Sequence, residues 1–183
     1  MARSPNVKDI VVVAHSMGAW LTVESLRQIA LEDGRVPAKI SNLILASPDL
    51  DIDVFRRQVA EMGADRPHIT IFVSRHDRAL ALASLIAGGV TRVGAVDLTR
   101  PENVAELESA PGVVVLDLSA LRTSDALNHS KFATSPAVVR LLGDRLIAGE
   151  QIGDSDINAA TAAQAVGNVV AAPIVLFTGG LRN

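Results

Sequence analysis

Ser16 has the surroundings of a nucleophile held on a tight turn. It is the central residue of the segment AHSMG, residues 14–18, which separates an apolar run at 10–14 from a stretch of helical periodicity. A strand-turn-helix of this kind lifts the Ser hydroxyl above the sheet, and it normally has the pattern G-x-S-x-G. Small residues are expected on both sides because the turn is strained and the backbone packs closely there. We predict that Ser16 is a nucleophile; a simple helix N-cap is the alternative.

Two neighbours of Ser16 bear on whether this turn can work. Ala14 stands where the pattern has its first Gly, and Ala is the least bulky replacement. The backbone N–H of Met17 is expected to point at the oxyanion that forms when the nucleophile attacks. The N-terminus of the following helix also favours negative charge at this point.

His129 is the best candidate for a general base among the four histidines. In an elbow enzyme the acid and then the base follow the nucleophile along the chain. His15 lies inside the elbow itself, His68 begins a strand at the opposite edge of the sheet, and His76 is beside the acid candidate. His129 follows the last predicted strand, in a loop, where the base is expected. The alternative for His129 is an ordinary surface position.

Asp77 is the preferred acid. It lies just past a predicted strand, in the segment SRHDR at 74–78. The carboxyl ends of parallel strands form the edge of the sheet where ligands bind. From there Asp77 would hold the tautomer of His129 and stabilise its imidazolium. The alternative is a surface ion pair with Arg75 or Arg78.

Four other aspartates compete with Asp77. Asp49, Asp51 and Asp53 follow the second predicted strand, and Asp117 ends the fourth. The first three also raise the question of a metal site, but they lack the glycine and the distal Glu of a calcium loop. We expect them to cap the following helix instead, and we predict no metal.

The order of apolar runs and helical patterns indicates an α/β fold. Strand-helix alternation at this spacing predicts a mainly parallel sheet of about four strands flanked by helices. The strands are expected at 10–14, 40–46, 68–74 and 113–118, and the helices at 18–31, 53–62, 78–87, 101–109 and 135–149. Residues 1–150 are expected to form the domain. Residues 151–183 are expected to be a flexible tail rich in Ala and Gly.

Composition excludes several classes of function. Hydrophobic residues make up 49% and charged residues 20%, the net charge is −3, and there is no cysteine. Nucleic acid is a poor partner for such a chain because no basic run is present. No run reaches the length of a membrane span, and no cofactor is indicated. The N-terminus lacks the features of a signal peptide, so the cytoplasm is the default expectation.

Two further segments have compositions that could contribute to a binding site. The glycine-rich stretch 88–94 follows a helix rather than a strand, so it is a poor phosphate loop. The apolar run 80–86 beyond Asp77 could line an acyl pocket, and core packing is at least as good an explanation.

Four segments, taken together, resemble a bacterial α/β-hydrolase family of unassigned function. They are AHSMG, LASPDLDIDVFRRQ, SRHDRAL and ALNHSKF, and they occur in the expected order. The likeness covers roughly residues 7–145. It implies a sheet like that of lipases and esterases, with a triad of Ser16, Asp77 and His129.

The resemblance also implies that the front half of the domain is missing. A complete hydrolase of this class has strands before the elbow strand, and one of their connections supplies the second oxyanion N–H. The first strand here would then have an exposed apolar edge, through which the chain is expected to self-associate. Loss of one oxyanion donor costs about 100- to 1000-fold in rate, so we expect this chain alone to be weakly active or inactive.

The predicted activity is hydrolysis of a small carboxylic ester through an acyl-enzyme. Two alternatives remain open. One is a catalytically silent domain of the same fold used for binding or assembly. The other is an acyltransferase that uses the same triad.

Overall fold

The structure is a computed structural model. It describes residues 2, 4–100, 102–103, 112–121, 124–136, 138–140, 142–143 and 176–178. The predicted helix at 101–109, part of the predicted helix at 135–149 and nearly all of the tail at 151–183 lie outside these residues. Among the described residues of these two segments, 102–103, 136, 138–140 and 142–143 are helical, and Ser135 is not.

Strands and helices alternate along the chain as the hydrophobic pattern predicts. The four predicted strands are present, with ends that differ by one residue at most. In chain order the elements are β1 (Ile10–His15), α1 (Met17–Asp33), β2 (Ile40–Ala46), α2 (Ile52–Glu61), β3 (His68–Val73), α3 (Arg78–Ile86), a 3-10 turn (Val93–Ala95), β4 (Val113–Asp117), α4 (Lys131–Thr134) and β5 (Leu176–Thr178).

The sheet has the order β1-β2-β3-β4-β5. The first four strands are parallel, which confirms the predicted fold class. Their carboxyl ends lie side by side, because His15 is level with Ala46 and Ala46 with Phe72. β5 pairs antiparallel with β4, and the sequence pattern did not predict this strand. Loops that follow β1, β3 and β4 therefore start from one edge of the sheet.

Apolar side chains fill both faces of the sheet. Successive residues of a strand point to opposite faces, so Leu43 and Leu45 pack on one side while Ile44 and Ala46 pack on the other. The first face is covered by α1 and α2, which contribute Val23, Leu26, Phe55 and Val59. Burial on both faces explains why the strands have continuous apolar runs rather than alternating ones.

β1 forms one edge of the described sheet. Within the part of the chain that the structure describes, it pairs only with β2. Val13 in this strand is 47% exposed. An apolar strand with unpaired backbone groups on one side is a surface to which another strand can add.

Residues 80–86, in the apolar helix α3, were expected either to line an acyl pocket or to pack in the core, and neither description fits all of them. Leu80 is buried, as core packing requires, but Leu82, Leu85 and Ile86 are exposed on the surface. Only the first turn of α3 therefore contributes to the core. Among the described residues, no helix is both long and apolar enough to cross a membrane.

Candidate active site

Ser16 occupies the turn between β1 and α1 with a backbone conformation that L-residues rarely adopt. Its φ is 54° and its ψ is −127°. The Ser16 N–H donates to the carbonyl of Ala46 (3.0 Å), and the Ser16 carbonyl accepts from the N–H groups of Ala19 (3.0 Å) and Asp49 (3.2 Å). Neighbouring backbone thus holds the strained turn in place. The hydroxyl makes no capping hydrogen bond, so the N-cap alternative lacks its defining contact.

The residues that flank Ser16 differ in how tightly they pack. Ala14 is buried, which agrees with close packing on the strand side. On the helix side the expectation is wrong within the described residues, because a Cβ added to Gly18 would meet no atom within 4 Å. Met17 opens α1, so its backbone N–H is one of those left without an intrahelical acceptor.

Asp77 is the N-cap of α3 and lies four positions past the carboxyl end of β3. One carboxylate oxygen, Oδ1, accepts the backbone N–H of Leu80 at 3.0 Å, and Oδ2 lies 2.8 Å from Nδ1 of His129. The carboxylate has no exposed surface, and the His129 side chain is 16% exposed. An ionised carboxylate only accepts hydrogen bonds, so Nδ1 of His129 carries the proton and Nε2 is left as the acceptor.

The surface ion pair considered for Asp77 is absent from the described residues. The guanidinium of Arg75 lies 3.9 Å from Asp97 instead, and Arg78 uses its backbone N–H to donate to the carbonyl of Leu127. A cleft of about 640 Å³ opens beside Asp77, with Arg75 and Arg78 in its lining. Asp77 also lines this cleft, although its carboxylate has no exposed surface. Among the described residues, His129 is the side chain that hydrogen-bonds to this carboxylate.

The loop that carries His129 is shaped by Asp125, which sequence reasoning did not single out. Its carboxylate accepts the backbone N–H groups of Leu127 (3.0 Å), His129 (2.8 Å) and Ser130 (2.9 Å). These hydrogen bonds, that of Leu127 first, lower the pKa of Asp125 below its usual value. Asp side chains commonly accept backbone N–H groups of the residues that follow them in turns, so the position of Asp125 shortly before His129 was the available signal.

His15, the last residue of β1, contacts the same loop. Its Nε2 lies 3.2 Å from the carbonyl oxygen of His129. The two imidazole rings have centroids 4.6 Å apart and are tilted by 48°. Sequence reasoning excluded His15 as the base and assigned it no other role.

No hydrogen bond joins the Ser16 hydroxyl to the His129 ring, although both residues are among those described.

A comparison with known protein families finds a match. The model of a family described as "Alpha/beta hydrolase of unknown function (DUF900)" matches residues 1–145. The chain belongs to the DUF900 family of α/β-hydrolases. No curated protein and no solved structure matches this DUF900 member. The resemblance noted in the sequence is thereby confirmed at the level of the family, and a specific reaction is not part of that description.

The rival aspartates have structural partners in this DUF900 member. Asp49 forms an ion pair with Arg92 at 3.2 Å. Asp51 caps α2 as expected, since its Oδ1 accepts two backbone N–H groups at the start of that helix. Asp53 is exposed near Arg56, and Asp117 accepts the N–H of Ser119 at 2.7 Å. Among the described residues, no three His, Asp or Glu side chains come together as a metal site.

Lys131 is a buried cation close to the Asp77 and His129 pair. It is 3% exposed, and its ammonium donates to the carbonyls of Leu118 (3.2 Å) and Ser119 (3.1 Å). Burial lowers the pKa of Lys131, and the negative charges of Asp117 and Asp77 oppose that change. The lysine thus ties α4, which follows His129, to the carboxyl end of β4.

Gly94 allows close contact between the loops that follow β2 and β3. Its N–H donates to the carbonyl of Pro48 (3.0 Å), and its carbonyl accepts from Ser74 (2.8 Å). A Cβ at this position would lie 2.6 Å from the backbone carbon of Ser47 and 2.6 Å from a methyl of Leu80. The glycine-rich stretch 88–94, judged a poor phosphate loop, therefore contributes a residue that joins the ends of β2 and β3.

Proposed function

We propose that this DUF900 member is a serine hydrolase that cleaves a small carboxylic ester through an acyl-enzyme. The observation that carries the proposal is the 2.8 Å hydrogen bond between Asp77 and His129. It lies at the edge of the sheet where the turn of Ser16 is found. An acid, a base in its correct tautomer and a hydroxyl on a strained turn are the components of nucleophilic acyl transfer.

In the first half of the reaction, the Ser16 hydroxyl attacks the ester carbonyl. Its proton passes to Nε2 of His129, because Nδ1 is already occupied by the proton shared with Asp77. The carbonyl oxygen becomes negative and accepts a hydrogen bond from the Met17 N–H at the start of α1. When the tetrahedral intermediate collapses, the alcohol leaves with the proton held by His129, and an ester of Ser16 remains.

In the second half, water reverses these proton transfers. His129 takes a proton from water, the hydroxide attacks the acyl-enzyme, and the carboxylic acid leaves as Ser16 recovers its proton. The buried carboxylate of Asp77 stabilises the imidazolium in both halves. If another alcohol or amine replaces water at this step, the same residues catalyse acyl transfer, and only analysis of the products separates the two reactions.

The nucleophile can be tested with a fluorophosphonate, which forms a covalent bond with an activated Ser. We expect the folded chain to be labelled at Ser16 and the Ser16→Ala variant not to be labelled. Ser25→Ala is the matched control, since the Ser25 hydroxyl bonds only to the carbonyl of Leu21 within its own helix. A folded chain that resists the probe at high concentration would favour the silent binding or assembly domain.

A further inference from the structure

We propose that His15 is a positioning residue, which holds the loop of the general base against the turn of the nucleophile. This inference rests on the proposed function and assigns a role to a residue next to Ser16 in the chain. It concerns the distance between base and nucleophile, which no direct hydrogen bond between their side chains sets in the described structure.

The first contact is a hydrogen bond to the backbone of His129. A carbonyl oxygen can only accept, so Nε2 of His15 carries a proton and donates to the His129 carbonyl at 3.2 Å. The His15 backbone is fixed as the last residue of β1, level with Ala46 in β2. One side chain therefore links the backbone of the base to the strand that ends at the nucleophile.

The second contact involves the rings. The centroids of His15 and His129 are 4.6 Å apart, and those of His15 and Phe132 are 5.0 Å apart, with tilted planes in both pairs. Rings at this separation are in packing contact. The contact restricts how far the His129 ring can rotate, while its Nδ1 stays hydrogen-bonded to Asp77.

The remaining contacts of the loop act on its other side. Lys131 connects the chain after His129 to the end of β4 through two hydrogen bonds. The carbonyl of Leu127 accepts the backbone N–H of Arg78 at the start of α3. β1 lies three strands away from β4, roughly 14 Å at the usual spacing of strands. These contacts hold the loop on the side of β3 and β4, and among the described residues His15 links it to the end of β1.

A kinetic comparison of His15 variants tests the inference. In His15→Ala both contacts are lost, and we expect kcat for a chromogenic ester to fall about 10- to 100-fold, since small errors of alignment have effects of this size. We expect KM to stay within about twofold of the wild-type value, because His15 acts on alignment rather than on substrate binding. His15→Phe keeps a ring but has no N–H donor, so we expect its kcat to lie between those of the wild type and His15→Ala.

A double-mutant comparison separates positioning from a general loss of stability. If His15 acts through His129, then His15→Ala should cause no further loss in a His129→Ala background. His68→Ala is the matched control, because His68 lies at the amino end of β3, far along the strand from the site. Thermal melts identify variants that fail to fold. If His15→Ala fails, His15→Phe, which has a ring but no N–H donor, replaces it and should also lower kcat.

The outcomes distinguish the two proposals. Wild-type kcat in a folded His15→Ala variant would overturn the role of His15 and leave Ser16 as nucleophile intact. The role of His15 would also be overturned if His15→Ala lowered kcat by the same factor in the wild-type and His129→Ala backgrounds. A folded wild-type chain that does not react with the fluorophosphonate at Ser16 would overturn the proposed function, and the role of His15 with it. Slow ester turnover alone would not, because a single oxyanion donor already predicts a weak rate, and the rate of Ser16 labelling then replaces kcat in the comparison of His15 variants.

Discussion

Asp77 and His129 lie 52 positions apart in the chain, and their side chains meet at 2.8 Å. Parallel strands make this contact possible. Asp77 follows β3 and His129 follows β4, and those strands are neighbours that end at the same edge of the sheet. The pair is formed by residues from separate loops and depends on the sheet for its geometry.

Asp77→Asn should greatly reduce activity. An amide in place of the carboxylate favours the wrong tautomer of His129, and this change costs about 10⁴-fold in kcat in serine hydrolases. The control is Asp117→Asn, at the rival position, where among the described residues the side chain accepts the backbone N–H of Ser119. Steady-state kinetics on both variants decides between the two aspartates. A larger loss in Asp117→Asn would assign the acid to β4.

Ser16→Gly should stabilise the protein while it abolishes activity. Glycine adopts a φ of 54° without strain, and a strained non-Gly residue costs about 1–3 kcal/mol. Part of that gain is offset by the entropy that Gly loses on folding, so we expect about 1 kcal/mol more in the free energy of unfolding. Ser16→Ala retains the strain and is the control. Equal urea midpoints for the two variants would show that the turn is unstrained.

Two glycines should respond to Ala in opposite directions. Gly94→Ala places a Cβ within 2.6 Å of neighbouring atoms, and such overpacking typically costs about 1–3 kcal/mol. Gly18→Ala places a Cβ in open space at the start of α1, and we expect a gain of about 0.4–1 kcal/mol. Urea denaturation of the two variants measures both effects. A destabilised Gly18→Ala would indicate a close approach at the elbow after all.

Glu24 should contribute to stability in a pH-dependent way. A hydrogen bond from Arg27, followed by those from Gln58 and Gln28, lowers the pKa of Glu24 to about 2. Because the folded state lowers this pKa, the contribution is present above the usual value of 4.5 and is lost as the pH falls from there to about 2.

The test compares Glu24→Gln with the wild type in chemical denaturation between pH 2 and pH 7. The difference in the free energy of unfolding should be largest near neutral pH and should shrink as the pH falls below about 4.5. Glu32→Gln, at an exposed position of the same helix, is the control. A difference that stays constant with pH would show that the loss comes from packing rather than from charge.

Much of the candidate site could be predicted from the sequence because its parts are local patterns. The turn of Ser16 is defined by a buried apolar run, a small-x-Ser-x-Gly segment and a helical stretch. Each of these can be recognised in a few adjacent residues. Asp77 and His129 followed from the order of the strands, since parallel strands bring their carboxyl ends together.

Contacts between loops could not be predicted in the same way. His15 lies inside the elbow, and its contact with the His129 carbonyl depends on the path of a distant loop. The burial of Lys131 and the close approach at Gly94 likewise involve neighbours remote in the chain.

The sequence by itself determined the order of strands and helices and the residue types at their ends, because those depend on hydrophobic period and on the chemistry of each turn. Only the tertiary structure decided how far the loop of His129 reaches across the sheet and which side chains hold it there. That outcome depends on the packing of Asp125, Lys131 and His15 around one loop, and packing between remote segments leaves no pattern in the adjacent residues.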